Sequence, residues 1–264
     1  MPSPRFTRRL FISAALAAGS APWFAWADTP EWPDEQRIPP FVIHADFALN
    51  TVPLFEGELA GLRRDLATFL TLPEQPAEIH LYLFGSASTY RDYVTRYFPG
   101  VPQRRALFIQ ANEVPMVFAH RSPHLLTDLR HECCHALVHQ THHDLPLWLD
   151  EGIAEYFEPP LHNRLHRGDY LPQVIQEAKM GEISPLVTLE RLRSVNEMGD
   201  RQYRHCWAWL HFLRHGPAAA QQSLTQYLSA QRQHPKTPVS YYLRSQFTDA
   251  EAECRRYLMA IRTS

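Results

Sequence analysis

Hydrophobic residues follow two different spacings along the chain, and the change falls near residue 121. Up to that point, apolar segments that alternate with polar residues or run continuously predict short strands. These strands are expected at residues 41–44, 79–84, 106–110 and 114–118. Apolar residues at helical spacing predict helices at residues 54–70 and 86–98. The proline-rich residues 28–40 are expected to form an extended lead-in, so the predicted order is β-α-β-α-β-β.

Beyond residue 121 the spacing is helical almost throughout. Ser122 is a candidate N-cap with Pro123 in the first turn, which predicts a helix from residue 122 to about 139. A second helix is expected from about residue 144 to the Pro159-Pro160 pair. Further helices are predicted at residues 171–180, 201–214, 218–231 and 250–262. The predicted fold class is α+β, with a mixed α/β lobe at residues 28–121 and a mostly helical lobe at residues 122–264.

The N-terminal residues have a different composition and predict an export signal. Residues 1–9 contain three arginines and no acid, an apolar run follows, and Ala25-Trp26-Ala27 fits a small-x-small cleavage site. We therefore expect a signal peptide at residues 1–27. Two of the arginines are adjacent, which resembles a twin-arginine signal; an ordinary secretion signal is the alternative. The predicted location is the bacterial periplasm or the cell exterior.

Composition and charge exclude several function classes. Apolar residues make up 45% of the chain and charged residues 20%, as in ordinary globular proteins. With a net charge of −2, the chain has no basic patch that would indicate nucleic-acid binding. After the signal, no segment approaches the ~18 consecutive apolar residues of a membrane-spanning helix. No C-x-x-C pattern occurs, which argues against a thioredoxin-like or zinc-ribbon role of the cysteines. An exported protein could form disulfides, but buried free thiols are favoured. The cysteines are Cys133, Cys134, Cys206 and Cys254.

The helix predicted at residues 122–139 contains an H-E-x-x-H motif formed by His131, Glu132 and His135. Residues four apart lie on one face of a helix, so both imidazoles can bind a single Zn²⁺ at ~2.0–2.1 Å. Glu132 is turned about 100° from His131. It therefore lies beside the metal, where its carboxylate can act as a general base toward a water molecule. A motif of five residues with two free positions is weak evidence on its own.

The next predicted helix supplies a candidate third ligand. Glu151 follows His135 by sixteen residues, and a turn between the helices can bring its carboxylate back toward the imidazoles. Three protein ligands with a fourth position open to water are typical of catalytic rather than structural zinc. The alternative is that Glu151 and Glu155 form a solvated acidic pair on an exposed helix. The apolar neighbours Trp148 and Ile153 favour a buried helix instead.

Two further residues of this helix have predicted roles. Glu155 lies one turn beyond Glu151, and metal-bound histidines usually donate their second ring N–H to a carboxylate. Glu155 is therefore the candidate partner of a zinc-bound histidine, most naturally His131. Gly152 is typical of a place where two helices cross closely.

Two segments of the chain resemble motifs of the gluzincin zinc metallopeptidases, in particular of their small bacterial members. They are H-E-x-x-H at residues 131–135 and W-L-x-E-G-x-A at residues 148–154. The resemblance covers about residues 126–157. It implies a zincin-like catalytic helix between the two lobes, Glu151 as third zinc ligand, and hydrolysis of peptide bonds. The G-x-M-E-N motif of the related aminopeptidases is missing before the zinc helix, so the resemblance does not extend to exopeptidase activity.

The resemblance also implies a donor for the oxyanion that forms during peptide hydrolysis. Related small gluzincins carry a tyrosine at the start of an aromatic helix, and Tyr203 is the matching position, with His205 as the second candidate. The alternative is that Tyr203, Trp207 and Leu210 form an apolar core stripe at helical spacing.

Two other features near the motif have open interpretations. In gluzincins the strand before the zinc helix borders the substrate cleft, and Pro115 suits an edge strand because it lacks an N–H. An ordinary paired strand at residues 114–118 is the alternative. His139, His142 and His143 would allow a second metal site, but exposed histidines at a helix end are favoured.

Together these features predict a zinc-dependent metalloendopeptidase of the bacterial cell envelope that acts on peptide or protein substrates. The first alternative is a zinc-binding scaffold or chaperone of the same fold that lacks turnover. The presence of Glu132 argues against it, because a protein that only binds zinc does not need that carboxylate. The second alternative is a hydrolase of a cell-wall peptide amide, which would use the same chemistry.

Overall fold

The computed structural model describes residues 31–262 except 112, 143 and 232–236. The predicted signal peptide at residues 1–27 lies outside the described residues. The chain forms two compact units, the first ending at Gln140 and the second beginning at Thr141. The predicted boundary lay at residue 121. The difference is one helix, which contains the H-E-x-x-H motif and packs on the sheet of the first unit.

In the part of the first unit that the structure describes, one sheet is combined with three α-helices, and the strands and helices predicted for it are all confirmed. Its elements are β1 (Asp34–Ile38), β2 (Phe41–Ala45), α1 (Phe55–Ala67), β3 (Ile79–Phe84), α2 (Ala87–Tyr97), β4 (Ala106–Ala111), β5 (Val114–His120) and α3 (Leu125–Val138). Strand β1 was not predicted. Its sequence is mostly polar because it is partly exposed and pairs with β2 alone, so it lacks the apolar signal of a buried strand.

The sheet has the strand order β1-β2-β3-β5-β4. The inner pairs β2–β3 and β3–β5 are parallel, and the two outer pairs are antiparallel. Strand β5 therefore lies inside the sheet, and the edge-strand interpretation of residues 114–118 is wrong. Pro115 is tolerated because it pairs with Gln110 beside the hairpin turn, while the ladder with β3 begins only at Met116. The edge strand next to β5 is β4, and β1 forms the opposite edge.

The two faces of the sheet carry different helices. Met116 and Phe118 of β5 belong to a core cluster with Tyr90 and Val94 of α2. Because side chains alternate along a strand, the neighbouring Val117 faces the other side, where α3 packs against β4 and β5. All residues of α3 except Leu126 and Thr127 are buried, so this helix is an interior element.

The start of α3 differs from the prediction. The helix begins at Leu125, not at Ser122. The Ser122 hydroxyl accepts a hydrogen bond from the backbone N–H of His124 at 3.1 Å, and the Ser122 carbonyl accepts one from Leu125 at 3.2 Å. Ser122 therefore closes a tight turn ahead of the helix instead of capping it.

The second unit is built of helices, and its described residues contain no strand. The helices are α4 (Leu147–Phe157), α5 (Leu171–Lys179), α6 (Leu186–Leu189), α7 (Asp200–His215), α8 (Ala218–Ala230), α9 (Val239–Gln246) and α10 (Ala250–Ala260). The α+β class is confirmed, with a mixed sheet in the N-terminal half and a mostly helical C-terminal half. Helices α6 and α9 were not predicted, because elements this short contain too few periodic positions. No helix among the described residues is long and apolar enough to cross a membrane.

Helix α7 contacts most of the other helices of the second unit, and α4 crosses it closely. The predicted close crossing at Gly152 is confirmed: a Cβ built at this position would lie 2.8 Å from the carbonyl oxygen of Cys206 in α7. That separation is too short for a side-chain carbon and a rigid backbone atom. Glycine at residue 152 therefore sets the distance between the two helices.

We expect Gly152→Ala to lower the free energy of unfolding by about 1–3 kcal/mol, because the two helices must move apart. Urea unfolding would measure the change. The matched control is Gly57→Ala in α1, where a Cβ meets nothing within 4 Å. That change should raise stability by about 0.5–1 kcal/mol, since alanine favours a helix. Equal stability of Gly152→Ala and the wild type would contradict the tight crossing.

Two histidines of α7, the buried His211 and the half-buried His215, form hydrogen bonds inside the second unit. His211 Nε2 donates to the carbonyl of Leu165 at 3.2 Å, so its Nδ1 accepts from the hydroxyl of Tyr257 at 2.8 Å. His215 Nε2 lies 2.7 Å from the hydroxyl of Tyr156. Burial, with neighbouring positive charge, lowers the pKa of His211 to about 3 and that of His215 to about 4.

Stability should therefore fall as the pH drops below 6.5, the ordinary histidine pKa. The unfolded chain binds protons at these sites first, so stability is full above pH 6.5 and is lost progressively toward pH 3 to 4. At pH 5 the loss is up to about 2 kcal/mol for His211 and less for the half-buried His215.

Urea unfolding at pH 7 and pH 5 measures this loss, and His211→Gln should flatten the pH dependence. His162→Gln, which changes an exposed histidine of the same unit, should not. An undiminished pH dependence in His211→Gln would contradict the prediction.

Candidate metal centre

Helix α3 brings the two histidines of the motif together. The Nε2 atoms of His131 and His135 are 3.1 Å apart, and their rings are inclined at 56°. Two nitrogens bound to one tetrahedral zinc at ~2.0–2.1 Å lie about 3.3 Å from each other. Both residues are buried, with exposures of 0% and 2%. The pair is thus spaced to share one ion, as the spacing of four residues predicts.

A different histidine pair shows what this geometry means. His44 and His80 are also close, with Nε2 and Nδ1 3.3 Å apart, but their rings are inclined at only 6° and their centroids lie 5.6 Å apart. These rings are nearly parallel and stacked, and their facing nitrogens lie within hydrogen-bonding distance. The centroids of His131 and His135 are 5.0 Å apart at a similar N···N distance, but their rings are inclined at 56°. The two pairs therefore differ in the orientation of their rings.

The surroundings of α3 hold the pair in place. The ring of Phe108 in β4 stacks on His135 at 6.5 Å between centroids. One turn before the motif, the buried Asp128 accepts a hydrogen bond from Arg105 at 2.8 Å. Arg130 pairs with Glu58 of α1, also at 2.8 Å. A helix fixed against both the sheet and α1 leaves its metal-binding face little freedom, which favours a preformed site.

Glu132 is also buried, with 2% exposure. Burial, and next the negative charge of Glu132, raise the pKa of Tyr90, which places this carboxylate close to the first turn of α2. Glu132 is therefore an interior side chain and not a solvated carboxylate on the helix surface.

Helix α4 places both of its glutamates in the interior. Glu151 is 0% exposed and Glu155 is 3% exposed, and every residue of α4 except Leu147 is buried. The alternative of a solvated acidic pair is therefore wrong. Charged groups this deeply buried need partners of opposite charge, hydrogen bonds or a metal ion.

Glu155 has partners that the sequence did not predict. Its Oε2 accepts a hydrogen bond from the Tyr170 hydroxyl at 2.8 Å and pairs with Arg167 at 2.7 Å. Both partners come after α4 in the chain, 12 and 15 residues beyond Glu155. They do not lie in the same helix as Glu155, so helical spacing could not predict these contacts. The only sequence signal was a charged and aromatic group, Arg167-Gly168-Asp169-Tyr170, after the helix.

The two candidate oxyanion donors on α7 have different environments. His205 is fully buried and its Nδ1 accepts a hydrogen bond from the backbone N–H of Ser184 at 3.1 Å. Its Nε2 therefore donates to Glu177, 3.2 Å away. Burial lowers the pKa of His205, and its one N–H is engaged, so His205 is the weaker candidate. Tyr203 is 3% exposed, and Trp207 is buried as well, as the core-stripe interpretation also predicts.

The remaining histidines and the cysteines complete the neighbourhood. His139 and His142 are half-buried, not exposed as expected, and the ring of His139 meets Phe108 edge to face at 5.6 Å. His143 lies outside the described residues. All four cysteines are free and buried, as predicted. Burial raises the pKa of the Cys133 thiol well above its usual range, so this residue next to Glu132 is no nucleophile.

The described residues thus include buried histidine, glutamate and aspartate side chains that could hold a metal ion. No protein-family model matches the sequence, and no curated protein matches it. The inference about function therefore rests on the chemistry of these buried side chains.

Proposed function

We propose that this protein is a zinc-dependent hydrolase of peptide bonds, with His131, His135 and Glu151 as metal ligands and Glu132 as general base. The observation that carries the proposal is the pair of buried imidazole nitrogens on α3, which lie 3.1 Å apart, close to the spacing of two nitrogens bound to one zinc ion. Glu151, the third proposed ligand, is fully buried in α4. The export signal predicted at residues 1–27 supports action in the cell envelope.

The donor set favours zinc over other common metals. Two imidazole nitrogens and one carboxylate oxygen match the ligands of catalytic zinc sites, whereas magnesium and calcium prefer oxygen ligands alone. The four thiols do not belong to the proposed ligand set. A set of three protein ligands leaves a coordination position for water or substrate, which is typical of catalytic zinc.

Each of the proposed site residues has its own role in the reaction. When bound, zinc supplies a Lewis acid that polarises the peptide carbonyl and acidifies a water molecule. Glu132 takes a proton from the attacking water and returns it to the leaving amine. The hydroxyl of Tyr203 donates a hydrogen bond to the oxygen that becomes negatively charged. The ring N–H of His131 donates to Glu155, which keeps the imidazole in the tautomer that binds metal through Nε2.

Strand β4 is the proposed place for an extended substrate. It is an edge strand of the sheet, and its Phe108 contacts both His135 and His139. A peptide that adds to a sheet edge binds through backbone hydrogen bonds, which are tolerant of sequence. A peptide added to β4 would therefore run beside the histidine pair.

Hydrolysis of denatured casein and of a peptide library, analysed by mass spectrometry, tests the proposal. We expect cleavage by the zinc-loaded protein, loss of cleavage with phenanthroline and recovery on adding zinc. Cell-wall peptides should be included as substrates, because the same residues would hydrolyse their amides. No cleavage of any of these substrates by a protein with full zinc occupancy would contradict the proposal and favour a zinc-binding scaffold.

A further inference from the structure

A serine, a histidine and a glutamate are linked by hydrogen bonds within the second unit. The Ser184 hydroxyl lies 2.9 Å from Nδ1 of His205, and Nε2 of His205 lies 3.2 Å from Oε2 of Glu177. Glu177 belongs to α5, Ser184 precedes α6 and His205 belongs to α7. A nucleophile, a base and a carboxylate that orients the base, each within hydrogen-bonding reach of the next, are the parts of a catalytic triad.

A backbone contact fixes which nitrogen of His205 is the base. The N–H of Ser184 donates to Nδ1 at 3.1 Å, so Nδ1 carries no proton and Nε2 donates to Glu177. Because Nδ1 offers only a lone pair, the Ser184 hydroxyl also donates to this nitrogen. The two nitrogens have exchanged roles compared with serine proteases, but either one can accept a proton. The proton of the nucleophile is therefore directed at the base, as general-base catalysis requires.

Side chains of α7 hold the carboxylate and the serine in place. Arg204 donates to both oxygens of Glu177, at 3.1 Å and 2.6 Å, and this bidentate pair fixes the plane of the carboxylate. The indole N–H of Trp209 donates to the Ser184 carbonyl at 2.9 Å. The serine, the histidine and the glutamate are thus held in position by the fold itself.

Burial and charge suit these roles. Burial lowers the pKa of His205 although Glu177 opposes the change, so the imidazole is neutral at neutral pH and can accept a proton. Burial alone would raise the pKa of Glu177, but the hydrogen bonds from Arg204 outweigh it and lower the pKa, so the carboxylate stays charged. Ser184 is half-buried, so the chain of hydrogen bonds begins at a residue that solvent reaches.

We propose that Ser184 and His205 are the catalytic residues of a second site, which hydrolyses carboxylic esters without a metal ion. Esters are the expected substrate class because an alcohol departs more readily than the amine of a peptide. The Ser184 oxygen bonds to the ester carbonyl carbon while its proton moves to Nδ1 of His205. The bond to the alcohol then breaks, and His205 gives the proton to the departing alcohol.

Water completes the reaction by the same route in reverse. A water molecule attacks the acyl carbon and gives one proton to Nδ1 of His205. The bond to Ser184 then breaks, the serine oxygen takes that proton back, and the carboxylic acid leaves. In both halves the negative charge of Glu177 stabilises the imidazolium that forms.

A fluorophosphonate probe tests the site, because it bonds to a serine oxygen that a base activates and releases fluoride. The full chain is first treated with phenanthroline, so that the metal centre does not contribute. We expect the probe on Ser184 in peptide mapping by mass spectrometry, and hydrolysis of p-nitrophenyl acetate by the same protein. Ser184→Ala should abolish both reactions, and His205→Gln should slow them by about 10²–10⁴-fold.

The matched control is Ser194→Ala, which removes another half-buried hydroxyl of the same unit, one that accepts from the backbone N–H of Asn196. It should leave both rates unchanged. A folded wild-type protein in which Ser184 stays unlabelled overturns the proposal. Equal labelling of the wild type and His205→Gln does so as well, because the base would then have no part in the reaction.

Glu177→Gln separates orientation of the base from support of the fold. The amide keeps the shape of the carboxylate but loses the charge that raises the pKa of His205. The pH at which the labelling rate is half-maximal should therefore move downward, a shift that a purely structural role would not produce. An unchanged midpoint would remove Glu177 from the site and overturn the triad.

Discussion

Glu132→Gln should slow peptide hydrolysis by about 10²–10⁴-fold while zinc binding is retained. Glutamine has nearly the same shape as glutamate, but its amide cannot accept a proton from the attacking water. The metal ligands are unchanged, so the ion should stay bound. The measurement is the initial rate of cleavage of a peptide identified in the library, together with the zinc content of the purified variant.

A second variant on the same helix serves as control for this result. Asp128→Asn also replaces a buried carboxylate of α3, one whose partner is Arg105, by its amide. It should cost some stability but leave the cleavage rate of the folded protein near that of the wild type. If Glu132→Gln keeps wild-type activity, or if it loses zinc along with activity, then Glu132 is not the general base.

The second large effect is expected from His135→Ala, which should remove zinc binding and activity together. Losing an outer partner of a metal-bound histidine costs about 10–100-fold in affinity, and losing the ligand itself should cost more. The remaining histidine and carboxylate would leave the ion incompletely held. Chelator competition gives the affinity, and the same peptide substrate gives the activity.

His139→Ala provides the comparison, since it removes the histidine that follows His135 by about one helical turn. His139 is half-buried and follows His135 along the same helix face, so it is the alternative nitrogen ligand. We expect His139→Ala to keep zinc and most activity. Loss of zinc from His139→Ala, with zinc retained in a Glu151→Gln variant, would make His139 a ligand in place of Glu151 and contradict the proposed ligand set.

Local patterns were sufficient for most of the elements of the fold. The predicted strands β2 to β5 and helices α1 and α2 all form, because each has an apolar period that its own residues define. Strand β1 was not predicted because its polar residues carry no strand signal of their own. The strand is stabilised by pairing with β2, which is a contact to another segment. Pro115 pointed to an edge strand, but the position of β5 in the sheet depends on which strands pair with it.

For the candidate site, the amino-acid sequence by itself determined that His131 and His135 share one helix face, with Glu132 beside them. This follows from helix geometry, which needs no distant contact. Only the tertiary structure decided that Glu151 and Glu155 are buried, and that Arg167 and Tyr170 hold Glu155. Burial and ion pairing depend on which elements pack together. Those residues are brought together by turns, and the spacing of apolar residues along the chain does not specify the geometry of a turn.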